Sequence, residues 1–149
     1  MNSKGQEEAG YRLLIEAILV ILILAIILGV VSQIDQQRIL ISEKNLMEGF
    51  NKALNSPDGS IIVEQGLVLK SGASYSNRAF SGSTAGIKPE CIELQASSSM
   101  AFKATGGYIV ELTTLLQTDV YYKCFPGYLS GSDCEISCII SFGKELEKG

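Results

Sequence analysis

The nineteen residues from Leu13 to Val31, LLIEAILVILILAIILGVV, contain 17 apolar side chains and one charge, Glu16. At about 1.5 Å per residue such a helix is close to the roughly 30 Å of a bilayer's hydrocarbon core. A chain of 149 residues has little interior in which to enclose an apolar rod on every side, so the segment reads as a membrane span and not as a core helix. Nor does it read as a conventional secretory signal, whose apolar region is about 7 to 15 residues and ends at a small-residue cleavage site. After Val31 the chain runs Ser32-Gln33-Ile34-Asp35-Gln36-Gln37-Arg38, with no A-x-A-like site. The mean hydropathy of +0.24 therefore has a local cause, and the remainder has the composition of an ordinary soluble domain.

The helical pattern continues beyond the span. Ile34, Ile41, Leu46, Phe50, Ala53 and Leu54 recur among Asp35, Arg38, Glu43, Lys44, Glu48 and Lys52, which is an amphipathic period. Asn55-Ser56-Pro57-Asp58-Gly59 ends it, because proline cannot continue the hydrogen-bond ladder and Asp-Gly favours a turn. One helix is expected from about Gly10 to Asn55, on the order of 65 to 70 Å long. Its first half suits lipid or a bundle of like helices, and its second half offers one face to a globular domain.

Ahead of the span, Lys4-Gly5-Gln6 is followed five residues on by Tyr11 and then by Leu13-Leu14-Ile15. This arrangement resembles the archaeal type IV pilin-like proteins that carry a class III signal peptide. The resemblance implies that a prepilin-type peptidase cuts after Gly5 and that the apolar helix is retained in a mature chain beginning at Gln6. Where that family commonly has Ser and Glu at the third and fifth mature positions, this chain has Glu8 and Gly10. A second register, Gly10-Tyr11-Arg12-Leu13-Leu14-Ile15-Glu16, is similar to the general prepilin pattern and would place the cut after Gly10. The organisation expected is a leader over 1–5 (alternatively 1–10), a helix over 6–55 and an exported head over 56–149.

A carboxylate within hydrocarbon is costly and usually faces a partner. Glu16 has two expected roles: pairing with the N-terminal amine or Arg12 of a neighbouring subunit, or snorkelling to water beside Arg12, its i−4 neighbour. Gly29 permits close helix contact. Lys4 and Arg12 precede the span and Asp35 follows it, which favours an N-terminus inside and the bulk of the chain outside.

Beyond Gly59 the period changes. Ser60 to Glu64 and Leu67 to Lys70 read as two strands of a hairpin around Gln65-Gly66. Ser71 to Lys88, rich in Ser, Gly and Ala, reads as a long exposed loop that Tyr75 and Phe80 anchor or offer to a partner. Apolar runs at Cys91 to Gln95, Met100 to Ala104, Val120 to Phe125 and Cys134 to Phe142 read as strands, while Tyr108 to Leu116 fits strand or helical turn. The fold class is α+β: a long N-terminal helix, then an antiparallel sheet of about four to six strands packed on the Ile34 to Leu54 face.

All four cysteines, Cys91, Cys124, Cys134 and Cys138, lie on the side of the span expected to be exported, where disulfides persist. Cys134 and Cys138 on one strand would be about 13 Å apart, beyond disulfide reach. Two pairings remain: Cys124 with Cys134 and Cys91 with Cys138, or Cys91 with Cys134 and Cys124 with Cys138. The turn-rich loop Phe125 to Asp133 favours the first.

A net charge of −4 argues against nucleic acid as a partner. The absence of histidine removes the usual general base and the commonest metal ligand. No C-x-x-C, G-x-S-x-G, P-loop or N-x-S/T sequence occurs, and Glu90 and Glu93 have the spacing of a solvated face. No cofactor, metal or catalytic residue is expected. The expected partners are the membrane, a prepilin peptidase and identical or related subunits, the head serving adhesion or display. The alternative is a single-span, membrane-anchored binding or sensor module that does not polymerise.

Overall fold

The computed structural model describes residues 3–83, 86–127 and 133–147. The chain forms two units, Met1–Gln37 and Arg38–Gly149. The first is wholly helical where described. It belongs to α1, Ser3–Asn55, which begins seven residues ahead of the expected start and stops where the Asn55 to Gly59 signal predicts. The early start has a local reason: Gln6, Glu7, Glu8 and Ala9 are good helix formers. Residues 5–37 are exposed throughout, and α1 is long and apolar enough to cross a membrane, with a mean hydropathy of 3.2 over its most apolar window.

The second unit is an α+β head. One sheet has the order β1-β6-β7-β3 and a second the order β2-β5-β4. The strands are β1 Ile61–Leu69, β2 Ser74–Ser76, β3 Ile92–Ala96, β4 Phe102–Thr105, β5 Ile109–Leu112, β6 Leu116–Pro126 and β7 Ile136–Phe142. Between β2 and β3 lie α2, Asn77–Ser83, and a single 3-10 turn at Pro89–Cys91. Two sheets replace the one expected. Positive φ at Gly106 and Gly107 turns β4 sharply into β5, and this hairpin recruits β2 instead of joining the larger sheet. Among the described residues the pairings are antiparallel except that of β3 with β7, which is parallel. Strand β5 resolves the ambiguity at Tyr108 to Leu116, since Val110 and Leu112 are buried between exposed neighbours.

The expected hairpin at Ser60 to Lys70 is instead one strand. Opposite β6, the register slips between Glu64 and Leu67. Ile62 and Glu64 face the core side before the slip and Leu67 and Leu69 after it. An extra residue switches the parity of inward positions in this way. Gly66 adopts φ +66°, and its N–H donates to Asp119 Oδ1 at 2.8 Å, holding the bulge in place. Ser71 to Lys88 is likewise not a long loop: β2 and α2 occupy much of it, with Phe80 fully buried and Tyr75 nearly so. Their anchoring role stands. Phe80 meets Phe50 edge to face at 5.4 Å, and Tyr75 stacks on Phe142 at 5.4 Å.

The core of this unit joins Leu46, Phe50 and Ala53 of α1 to Leu67, Leu69, Leu94, Val120, Tyr122, Ile140 and Phe142 of the larger sheet. The expected apolar helix face is thus buried at these three positions. Leu54 is partly buried, whereas Ile34 and Ile41 are exposed.

Candidate anchoring and assembly site

The residues singled out by the leader and span fall on α1. Lys4, Gly5 and Gln6 are helical, and Gly10 follows one turn later. Among the described residues, nothing apart from the adjoining helix backbone lies within 4 Å of the position a Cβ would take at Gly5, Gly10 or Gly29. Arg12 and Glu16 are both exposed. The i−4 spacing does not bring them into an ion pair. Among the described residues the pairs are Lys44–Glu48 at 3.8 Å and Lys52–Glu64 at 3.2 Å.

Within the second unit, the C-terminal part of α1 is seated on the sheet by a set of contacts that its apolar periodicity alone does not reveal. Gly49 is the closest approach: a Cβ there would lie 2.6 Å from Glu64 Cγ and 2.6 Å from Tyr122 Cε2. Because Gly49 has no side chain, the Tyr122 ring lies flush against the helix, and its hydroxyl donates to the Leu46 carbonyl oxygen at 2.7 Å. Ser42 Oγ accepts the Val68 N–H at 2.9 Å, giving a backbone donor of edge strand β1 a partner on the helix. Lys52 reaches Glu64 from the same side. The signal for this seat was a lone glycine on the apolar face between Leu46 and Phe50, a place where glycine is costly unless a neighbour comes close.

Replacing Tyr122 by Phe is expected to cost about 1 to 2 kcal/mol, because the ring stays packed while a buried hydrogen bond is lost. Urea denaturation of the full chain in detergent measures it. A change within error of zero would show that the hydroxyl does not hold the helix.

All four cysteines are disulfide-bonded, in the pairing that the loop argument disfavoured: Cys91 with Cys134 and Cys124 with Cys138. The reason is register. Pro126 lies opposite Ile136 on β6 and β7, which places Cys124 directly opposite Cys138, with Cα atoms 4.1 Å apart. Joining Cys124 to Cys134 would require the strands to slip by four residues. Cys134 precedes β7 and meets Cys91 at the end of the 3-10 turn, just ahead of β3. Of the loop that suggested the other pairing, residues 128–132 lie outside those described.

Burial also sets the titration of the core tyrosines. Desolvation, reinforced by the Glu43 charge, pushes the Tyr75 phenol up to about 12, and its hydroxyl has no hydrogen-bond partner among the described residues. Desolvation raises Tyr122 as well, with Glu64 and then Tyr75 adding to it. Since both folded values lie above the ordinary phenol value of 10, their contribution is fully present below pH 10. It is lost as pH rises through the folded values. The expected result is cooperative loss of near-UV circular dichroism together with the appearance of phenolate absorbance above that pH. Ionisation of Tyr75 near pH 10 with the spectrum unchanged would contradict it.

A cavity of about 230 Å³ lies against the Cys91–Cys134 bridge, lined also by Ile87, Lys88, Asp133 and Glu135. Its charges are mixed. Among the described residues no three His, Cys, Asp or Glu side chains are grouped to hold a metal ion. Comparison with models of known protein families, with curated proteins and with solved structures gave no match.

Proposed function

We propose that this chain is a structural subunit, major or minor, of an archaeal type IV pilus-like surface filament. In this reading a prepilin peptidase removes the leader at Gly5, the helix stores the subunit in the membrane, and the head is displayed outside the cell. The observation that carries the reading is the exposed, apolar stretch of α1 directly behind Lys4-Gly5-Gln6, on a helix whose later turns are built into a disulfide-stapled head. An apolar helix exchanges lipid for like helices with little change in burial, which is the physical basis of reversible assembly. Two disulfides suit an oxidising exterior.

Electron microscopy of cells lacking this chain tests the proposal. Loss of one class of surface filament, or a change in its number or length, supports a major or a minor subunit respectively. Filaments unchanged in number, length and composition would favour the alternative, a single-span anchored module that does not polymerise.

A further inference from the structure

Resting on the membrane-anchored reading, which the pilus and single-span alternatives share, we infer that the groove between α1 and the bulged edge strand β1 binds the phosphodiester headgroup of a membrane lipid. The groove, about 330 Å³, is lined by Arg38, Ile41, Ser42 and Asn45 of the helix, by Gln65 to Val68 of the bulge and by Gln117 of β6. It contains one cation and no carboxylate. The ion pairs among the described residues use Lys44 and Lys52, leaving the exposed Arg38 guanidinium without an acidic partner. The nearest acid along β6, Asp119, is turned to the Gly66 N–H.

The chemistry around Arg38 is that of a singly charged, hydroxyl-bearing ligand. A guanidinium binds phosphate oxygens through charge-assisted, paired N–H donors. Asn45 and Gln65 add neutral amide donors and acceptors of the kind that match glycerol hydroxyls, and Gln117 Nε2 reaches the groove wall at Gly66 O, 3.4 Å away. Ser42, which also lines the groove, accepts the Val68 N–H through Oγ. One cation balances the single charge of a phosphodiester, whereas free phosphate at neutral pH is a mixture of singly and doubly charged ions, and Ile41 and Val68 give the glycerol carbons an apolar wall.

The location in the chain selects a lipid as the source. Arg38 is the first cation after the apolar run and follows Val31 by seven residues. Seven residues span at most about 25 Å in any conformation, so the groove stays within reach of the headgroup layer that borders the hydrocarbon core.

The test uses the full chain purified in phosphate-free maltoside micelles, doped with phosphatidylglycerol and read by native mass spectrometry. Wild type is expected to retain one phospholipid per chain. Retention should fall roughly tenfold in Arg38→Gln, the scale of one lost charge-assisted contact, and be unchanged in Lys103→Gln on β4. Equal retention by Arg38→Gln would overturn the inference, as would displacement of the lipid by inorganic phosphate at equal concentration. A chain that stays in solution without detergent would instead overturn the membrane reading on which it rests.

Discussion

Gly49→Leu is expected to unseat the C-terminal part of α1 from the sheet and to destabilise the head by about 3 kcal/mol or more. Two opposing effects decide the sign for smaller substitutions. A glycine inside a helix costs about 0.5 to 1 kcal/mol relative to alanine, so helix propensity alone favours replacement. Against this, the added Cβ would lie 2.6 Å from both Glu64 Cγ and the Tyr122 ring. Glu64 can shift, since its side chain is a flexible stem paired with Lys52. Tyr122 has less freedom, because it is fully buried and its hydroxyl is held by Leu46 O. Alanine is therefore expected to cost a net of about 1 to 2 kcal/mol, and leucine more because its branches find no space. Thermal unfolding followed by near-UV circular dichroism in detergent gives the order wild type, Gly49→Ala, Gly49→Leu. A stabilising Gly49→Ala would mean that helix and sheet are not in close contact at this point.

The second large effect is expected from the disulfide with the wider sequence separation. Cys91 and Cys134 are 43 residues apart, whereas Cys124 and Cys138 are 14 apart on strands that are already hydrogen-bonded. Loop-closure entropy assigns about 4 kcal/mol to the first and about 3 to the second. The double variant Cys91→Ser/Cys134→Ser should therefore lose more stability than Cys124→Ser/Cys138→Ser. Its loss should also free the segment ahead of β3, at the edge of the larger sheet, so that protease cleavage near Pro89 becomes faster. The reverse order, or equal stability of both variants with wild type, would contradict this ranking. Peptide mapping under non-reducing conditions checks the pairing itself, with Cys91 and Cys134 recovered in one linked product.

Features that depend on near neighbours along the chain were legible in the sequence. The Leu13 to Val31 run announced a membrane-length helix, Pro57 with Asp58-Gly59 marked its end, and of the apolar face expected from Ile34 to Leu54 the positions Leu46, Phe50 and Ala53 are buried while Ile34 and Ile41 stay exposed. Four cysteines in one half of the chain pointed to disulfides, which both form. Features set by partners distant in sequence failed to show. The bulge at Gly66 is stabilised by Asp119, 53 residues on, so the local pattern looked like two strands with a turn. The helix α2 sits in a Ser- and Gly-rich segment of low helix propensity and is held by the burial of Phe80 against Phe50. Disulfide pairing follows from the β6 and β7 register, which the loop composition does not encode. Of the residues expected to serve processing and assembly, Gly5, Gly10, Arg12, Glu16 and Gly29 all lie on the exposed N-terminal part of α1, and among the described residues none of the three glycines has a neighbour within 4 Å of its Cβ position beyond the adjoining helix backbone.

Whether the leader is cut and the apolar helix retained is decided by the intact mass of the native chain extracted from its own membranes. The expected product is a mature protein starting at Gln6, or at Tyr11 in the second register, that still contains Leu13 to Val31. A chain beginning at Met1 in cells with an active prepilin peptidase, or one cleaved beyond Val31, would contradict the pilin-like reading.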